Sequence, residues 1–294
     1  MSKKICIITG ANAGIGKAAT IQMLLQGYHV IMGCRNQKKG LAALKDVKRQ
    51  SKSEDVELFL LDLSLKAATK NFAEQIKKKY PTIDVLIHNA AIFDISQKEA
   101  VITLEGYESV WMTNHINPMY LTYLLMDNLK AAKQARVITI ASKGLIAHPF
   151  LKVNIDDPEF KHRHFKMDKA YYQSKLAQIM FTYYLADKLK NTNVTVNGIR
   201  VTAVKIASDR LPNISKTMKT IYKLKSKKAL SPEAMAKTYV YLASFKQLAK
   251  TTGKYFDEHQ QIVTSSKYSQ DSDNIKAVMD LSFSYFMDEI QYNY

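Results

Sequence analysis

The chain has 294 residues, of which 47% are hydrophobic, and its formal net charge is +17. This composition excludes a disordered chain and suffices for one large α/β domain, or at most two small ones. No run of about 18 apolar residues occurs, so the sequence predicts neither a membrane span nor a secretory leader. The positive charge favours anionic partners, but no recognition fold or aromatic-rich basic strip indicates nucleic-acid binding.

The cysteines and histidines indicate neither a disulfide framework nor a metal site. Cys6 and Cys34 lie in apolar segments that are expected to be strands. Such cysteines are typical of buried, reduced thiols in a cytoplasmic protein. His162 and His164 alternate in a polar stretch without further obvious ligands, so no metal is expected.

The chain starts with a predicted strand (residues 4–9), a glycine-rich turn and a helix that continues to Leu25. A dinucleotide site requires this order, because glycines let the backbone approach a pyrophosphate whose charge meets the amides of the helix N-terminus. A turn with only a structural role is the alternative. The candidate cofactor-binding residues here are Gly10, Asn12, Gly14, Ile15, Gly16 and Lys17.

A second strand is predicted over residues 28–34, and Arg35 follows it. A site that prefers NAD usually has an acid at this position for the ribose 2′-hydroxyl, whereas an arginine accommodates a 2′-phosphate. We therefore expect NADP(H) to be preferred over NAD(H), with Arg35 and Lys17 as the candidate cations. A solvated surface arginine is the alternative for Arg35.

Strands and helices continue to alternate. Helices are predicted over residues 38–50 and 66–79, and strands over residues 56–61 and 83–88. The alternation favours βαβ units, a parallel sheet and right-handed crossovers. Ligands of such sheets lie beyond the carboxyl ends of the strands. The candidate cofactor-binding residues at these ends are Asp62, Leu63, Asn89 and Ala90.

The second half of the chain adds three strands and several helices. Strands are predicted over residues 136–140, 194–201 and 253–256, and helices over residues 103–130, 170–190 and 274–287, with another that starts at Ser231-Pro232-Glu233. Asn114 falls in the first of these helices. Ser142, just past the fifth strand, is placed to hydrogen-bond into the crevice.

Tyr171 and Lys175 lie one turn apart on the helix predicted over residues 170–190. Positions i and i+4 share a face, and a nearby positive charge favours the phenolate. Lys175 is therefore expected to lower the pKa of Tyr171 from its usual value of about 10 and to make it a usable acid or base. The alternative is a core tyrosine beside a solvated lysine.

Together these signatures resemble the short-chain dehydrogenase/reductase family over essentially the whole chain. Residues 9–16 resemble its T-G-x-x-x-G-x-G motif, Asp62 its adenine-contacting acid and Asn89-Ala90 its N-A-G element. The family's catalytic tetrad corresponds to Asn114, Ser142, Tyr171 and Lys175. Residues 34–36, 172–177 and 253–256 look most like the retinol dehydrogenase-like branch.

The resemblance implies one doubly wound Rossmann domain over residues 1–294, with a seven-stranded parallel sheet and helices on both faces. It also implies an NADP(H)-dependent oxidoreductase that interconverts a carbonyl and its alcohol on an apolar, retinoid-, steroid- or lipid-aldehyde-like substrate. NADPH would give a hydride to the carbonyl carbon while Tyr171 donates a proton to the oxygen and Ser142 hydrogen-bonds it. Lys175 would lower the pKa of Tyr171 and hold the nicotinamide ribose, and Asn114 would support a water relay to Lys175. A homodimer or homotetramer is implied as well.

The chain departs from the family pattern in two places. His88 and Ala91 stand where the family tetrad has Asn and Gly, and Val201-Thr202 stand where it usually has Pro-Gly. That last loop normally packs on the nicotinamide, so side chains at these positions are expected to narrow the site. The alternative function is a dinucleotide-binding sensor or interaction protein with little or no turnover.

Residues 205–230 fall where the family has its substrate lid, and residues 257–294 form a C-terminal extension. The lid carries seven lysines and one arginine beside apolar residues. One interpretation is a basic amphipathic lid that makes peripheral contact with an anionic membrane. The other is a solvated charged face over an apolar pocket.

Overall fold

The structure is a computed structural model, and it describes residues 3–205 and 229–290. The order of the strands is β3-β2-β1-β4-β5-β6-β7, and every neighbouring pair is parallel. This confirms the predicted seven-stranded parallel sheet. The strands are β1 (Ile5–Thr9), β2 (His29–Cys34), β3 (Val56–Leu60), β4 (Val85–His88), β5 (Ala135–Ser142), β6 (Val194–Val201) and β7 (Lys254–Phe256).

Helices cover both faces of the sheet. They are α1 (Gly14–Leu25), α2 (Gln37–Ser51), α3 (Lys66–Lys79), α4 (Ser109–Trp111), α5 (Asn117–Leu124), α6 (Met126–Ala131), α7 (Met167–Lys188), α8 (Pro232–Ser244), α9 (Lys267–Gln270) and α10 (Ser272–Phe283). On β1, Ile7 packs into the core formed with α3, α5 and α7, and Ile8 into the core formed with α1, α2 and α8. Burial on both faces explains why these strands are continuous apolar runs.

The strand order reverses between β1 and β4. Doubly wound sheets open a ligand crevice at such a point, beyond the carboxyl ends of the strands. β1 ends at Thr9 and β4 at His88. The glycine turn and the tetrad that follow these strands therefore meet at the crevice.

The helix predicted over residues 103–130 is wrong in its start and its continuity. The Glu108 carboxylate accepts two amides of the following turn, each at 2.8 Å, so helical structure begins only after this residue. Further along, Pro118 has no amide hydrogen for the carbonyl of Asn114, and its ring would crowd that carbonyl in a regular helix. The turn Met112–Ile116 is accordingly π-helical.

Other predicted boundaries shift by a few residues for local reasons. β4 starts at Val85 instead of residue 83, where it comes into register with Cys6 on β1. α7 starts at Met167 instead of residue 170. The C-terminal helix spans Ser272–Phe283 instead of residues 274–287, and the Asp271 side chain sets its start by capping the first turn at 2.9 Å.

The described part of the C-terminal extension forms a further layer over α5 and α7. Phe286 lies 5.0 Å, centroid to centroid, from Tyr120 and 6.3 Å from Tyr123, both on α5. Phe283 lies 5.8 Å from Tyr184 on α7. Because of this layer, α7 is buried on more than its sheet-facing side.

Cys6 and Cys34 are buried free thiols, as predicted, and burial raises the pKa of Cys34 to about 11. Within residues 3–205 and 229–290, no helix is long and apolar enough to cross a bilayer, and no group of three or more His, Cys, Asp or Glu side chains could hold a metal ion. Apart from its first residue and last two, the predicted lid lies outside the described residues, and so does its predicted membrane contact.

Candidate active site

Two glycines of the turn after β1 let the chain pack closely against the end of β4. Gly10 has φ +65°, and a Cβ on it would lie 2.9 Å from the Cα of Ala90. A Cβ on Gly16 would lie 2.5 Å from both the Asn89 amide nitrogen and the Gly10 carbonyl oxygen. Any larger residue would push the turn away from β4, so these positions require glycine.

The N-terminus of α1 has the features of an anion site. Ala13 provides no side-chain cap, and the first turn holds no acidic residue. The amides at Gly14, Ile15 and Gly16, which follow Asn12, therefore lack the carboxylate or hydroxyl partner that a capped helix supplies. Free amides and the positive end of the helix dipole suit a pyrophosphate, so this part of the chain fits a dinucleotide.

Asn89 braces this turn from the end of β4. Its amide nitrogen donates to the Thr9 carbonyl at 2.9 Å and to the Gly10 carbonyl at 3.2 Å. Its amide oxygen accepts from the Tyr239 hydroxyl of α8 at 3.1 Å. The amide of Ala90 donates to the Thr9 hydroxyl at 3.0 Å. Asn89 and Ala90, at the end of β4, thus hold the glycine turn of the candidate cofactor site in place.

The two candidate cations are placed differently. Arg35 is exposed just beyond the end of β2, at the same edge as the glycine turn. The Lys17 ammonium instead forms an ion pair with Asp46 of α2 at 2.6 Å. Asp46 also pairs with Arg49, and these hydrogen bonds hold the pKa of Asp46 well below its usual range. Arg35 is therefore better placed than Lys17 to meet a ligand.

The acid after β3 is held in a local turn. The Asp62 carboxylate accepts from the amide of Ser64 at 2.9 Å and from its hydroxyl at 2.7 Å. The next residue, Leu63, is buried, and its carbonyl accepts from Asn117 at 2.8 Å. Both predicted residues therefore lie in an ordered loop at the carboxyl edge of the sheet.

Ser142 and Tyr171 are brought together between β5 and α7. The Ser142 hydroxyl accepts from the amide of Gly144 at 3.1 Å. Burial raises the pKa of Tyr171 to about 12, and its hydrogen bond with the Ser142 hydroxyl offsets part of that rise. Tyr171 is therefore protonated at neutral pH in this arrangement, with its phenol beside the serine hydroxyl.

The expectation that Lys175 lowers the pKa of Tyr171 is not what the structure shows. The Lys175 ammonium lies 5.8 Å from the centroid of the Tyr171 ring and donates to the Ile140 carbonyl at 2.7 Å and to Gln178 at 3.2 Å. Burial lowers the pKa of Lys175 itself to about 7. Desolvation, which the sequence alone did not reveal, is thus the largest cause of the pKa shifts of both Tyr171 and Lys175.

Asn114 ties the loop after β4 to α7. Its side-chain oxygen accepts from the Ile92 amide at 2.7 Å, and its nitrogen donates to the Ile92 carbonyl and the Ser174 hydroxyl, each at 3.1 Å. Ser174 immediately precedes Lys175, so Asn114 positions the segment that carries the lysine. A water relay from Asn114 to Lys175 stays a prediction.

Tyr171 is bordered by an aromatic wall of Phe93, Tyr172 and His148, which the sequence did not predict. Phe93 lies 4.3 Å, centroid to centroid, from Tyr171 and 6.4 Å from Tyr172, and His148 lies 4.5 Å from Tyr172. Phe93 is 47% exposed. Its position a few residues past the carboxyl end of β4, where ligands of such sheets lie, is the sequence signal that could have identified Phe93.

The chain is similar to known proteins in both sequence and fold. Residues 4–150 match the family model described as short chain dehydrogenase. Human retinol dehydrogenase 13 is 34% identical over 264 residues, which cover 88% of this chain and 77% of that protein. Human retinol dehydrogenase 14 is 32% identical over 272 residues, which cover 88% and 79%.

Solved structures share the fold. A crystal structure of an uncharacterized protein from Mycobacterium Paratuberculosis has a TM-score of 0.74 and 25% identity, and the match covers 99% of this chain and 96% of that one. A short chain dehydrogenase from Escherichia coli CFT073, complexed with NADPH, has a TM-score of 0.65 and 21% identity, covering 88% and 97%.

Proposed function

Because this chain belongs to the short chain dehydrogenase family and is similar to its retinol dehydrogenase members, we propose that it is an NADP(H)-dependent oxidoreductase of an apolar carbonyl or its alcohol. The observation that carries the proposal is the pairing of Tyr171 with Ser142 at the end of β5, at the same edge of the sheet as the glycine turn. One cleft would thus hold a dinucleotide and a proton donor.

In the direction of carbonyl reduction, the chain's own residues handle the proton. A phenol whose pKa is raised to about 12 is fully protonated at neutral pH, so Tyr171 can donate its hydrogen to the substrate oxygen. Ser142 would hydrogen-bond the same oxygen, and donors fixed in place stabilise the charge that develops there. NADPH, when bound, supplies the hydride for the carbonyl carbon.

The cofactor would lie along the carboxyl edge of the sheet. The amides at the N-terminus of α1 would receive the pyrophosphate, and Asp62 would lie toward the adenine. Arg35 would meet the 2′-phosphate, which supports NADP(H) over NAD(H). A solved relative in complex with NADPH is consistent with this choice.

An apolar substrate is supported by the surface around Tyr171. Phe93 presents nearly half of its side chain to solvent beside the phenol, and Ile146 and Phe150, which follow Ser142 along the chain, are 58% and 93% exposed. Apolar surface around a few polar groups is typical of a small-molecule site. The relatives are named retinol dehydrogenases, and retinol is an apolar alcohol.

The experiment compares binding of NADPH and NADH by fluorescence titration in the wild type and in Arg35→Asp. We expect the wild type to prefer NADPH and the variant to lose most of that preference, because the carboxylate repels a phosphate and accepts from a 2′-hydroxyl. Lys17→Gln is the matched control and should change the preference less, since Lys17 already pairs with Asp46. An unchanged preference in Arg35→Asp would contradict the assignment of Arg35.

A further inference from the structure

A layer of buried polar side chains lies between the sheet and the helices α5 and α7. His88, the last residue of β4, is in register with Thr139 of β5, and both side chains are buried. The Thr139 hydroxyl contacts the Thr182 hydroxyl of α7 at 2.5 Å. Lys175, also on α7, enters the same layer, where its ammonium donates to the carbonyl of Ile140, the residue after Thr139.

The hydrogen bonds define the protonation of His88. The Thr122 hydroxyl of α5 donates to the Pro118 carbonyl at 2.9 Å, so its oxygen accepts at the 2.7 Å contact with Nε2 of His88. Nε2 therefore carries a hydrogen. Burial and the positive charge of Lys175 lower the pKa of His88 to about 3, so the ring is neutral and its Nδ1 is a bare acceptor.

Two atoms of this layer are buried without a hydrogen-bond partner in the part of the chain that the structure describes. They are Nδ1 of His88, an acceptor, and Nε2 of Gln178, a donor. The oxygen of the same Gln178 amide accepts from the Lys175 ammonium at 3.2 Å. Buried polar groups are nearly always paired, and a single buried water can accept from an amide and donate to an imidazole.

We propose that His88 is a positioning residue for Lys175, whose Nδ1 accepts a hydrogen bond from a buried water that Gln178 also holds beside the lysine ammonium. The oxygen of this water would accept from the ammonium as well as from Gln178, and an accepting oxygen favours the charged form of Lys175. By orienting the water, His88 helps to keep Lys175 protonated. The inference rests on the proposed function, in which Lys175 supports Tyr171, but it adds a residue that the proposal does not use.

Of the groups around His88, only one carries a charge that acts on it in the described residues. Thr122 faces it from α5 and Thr139 from β5, and neither hydroxyl titrates in the accessible pH range. Lys175 of α7 is the charged group whose field acts on His88 in the described structure. A change at His88 should therefore be read out at Lys175.

Two variants separate the roles of the two ring nitrogens. His88→Asn offers its amide oxygen as an acceptor near the position of Nδ1 and removes the bond to Thr122. His88→Gln reaches the position of Nε2, keeps the bond to Thr122 and removes the acceptor at Nδ1. Thermal melting of both variants reports any loss of packing.

The readout is the titration of the Lys175 Cε resonance in protein labelled with ¹³C-lysine. Its assignment comes from its loss in Lys175→Arg. Surface lysines titrate near pH 10.4, whereas burial lowers the pKa of Lys175 to about 7, so its resonance moves alone near neutrality. This measurement needs no turnover.

We expect the Lys175 midpoint to fall by about 0.5 pH unit or more in His88→Gln and to stay within about 0.2 unit of the wild type in His88→Asn. Equal midpoints in all three proteins would overturn the inference. Equal falls in both variants would overturn it too, since they would reflect lost packing. Separately, absence of cofactor binding and turnover would contradict the proposed function, and the lysine titration would still decide the role of His88.

Discussion

The rings of Phe93 and Tyr171 lie against each other, with centroids 4.3 Å apart and planes inclined by 37°. Phe93 belongs to the loop after β4, whereas Tyr171 belongs to α7, so two distant segments form one aromatic surface. Because Phe93 is 47% exposed, this surface faces solvent beside the phenol of Tyr171. An apolar substrate would bury it on binding.

Shortening Phe93 should therefore weaken substrate binding and spare the cofactor. For Phe93→Ala we expect the KM of an apolar aldehyde to rise about tenfold, the effect of losing about 1.4 kcal/mol of apolar contact. The Kd for NADPH should stay unchanged. Leu104→Ala is the control, because Leu104 is 97% exposed and lies outside the aromatic wall. An unchanged KM in Phe93→Ala would show that the substrate does not use this surface.

Gly144 should tolerate no side chain while Tyr172 keeps its position. A Cβ on Gly144 would lie 2.7 Å from Cζ of Tyr172, at the movable end of that side chain. We expect Gly144→Ala to displace the ring, with a loss of about 1–3 kcal/mol in the free energy of unfolding and a clear fall in kcat/KM. In a Tyr172→Ala background the same change should have almost no effect on stability. A full effect in that background would place the strain elsewhere, as a double-mutant cycle would reveal.

His115 should make the protein sensitive to acid. Its Nε2 lies 2.7 Å from the Ser282 hydroxyl of α10, and burial lowers the pKa of His115 to about 3. Between about pH 6.5 and pH 3 the unfolded chain binds a proton at this position that the folded chain does not, so stability falls as the pH falls. His115→Gln keeps a donor to Ser282 and removes this titration.

Between pH 6.5 and pH 5, His115→Gln should lose about 1.7 kcal/mol less unfolding free energy than the wild type. Urea denaturation at both pH values measures this difference. His164→Gln is the matched control, because His164 is exposed, and its loss should equal that of the wild type. Equal losses in all three proteins would refute the role of His115.

The C-terminal extension should be essential for stability. Phe286 is 2% exposed and packs on Tyr120 of α5. Its replacement by Ala should lower the free energy of unfolding by about 3–5 kcal/mol, as for other buried Phe residues. The neighbouring Met287 is 50% exposed, and Met287→Ala should cost less than about 0.5 kcal/mol. Similar denaturation midpoints for both variants would contradict this packing.

The sequence predicted the sheet well because local signals agreed with the fold. The bounds of α3 (Lys66–Lys79) and β6 (Val194–Val201) match their predictions. The Tyr80-Pro81 pair ends α3, since a proline cannot continue a helix. The segment before β5 was predicted poorly, because the carboxylate of Glu108 and the missing amide hydrogen of Pro118 override the helical periodicity.

Within the site, the sequence identified residue types better than their partners. Asn89 was predicted from a motif, but the hydroxyl that hydrogen-bonds its side chain belongs to Tyr239, which lies 150 residues away in the sequence. Lys17 was predicted as a cofactor cation, yet its ion pair with Asp46 depends on how α1 packs on α2. The pKa of Tyr171 depends on burial, which only the assembled chain determines.

The most direct test of the account measures NADPH oxidation by the wild type and by Tyr171→Phe with a panel of apolar aldehydes and ketones that includes retinal. We predict turnover by the wild type and a loss of at least about 100-fold in Tyr171→Phe, the typical contribution of a positioned proton donor, with unchanged NADPH affinity. Comparable turnover by both proteins would contradict the role of Tyr171. NADPH binding without turnover by the wild type would favour a dinucleotide-binding sensor over an oxidoreductase.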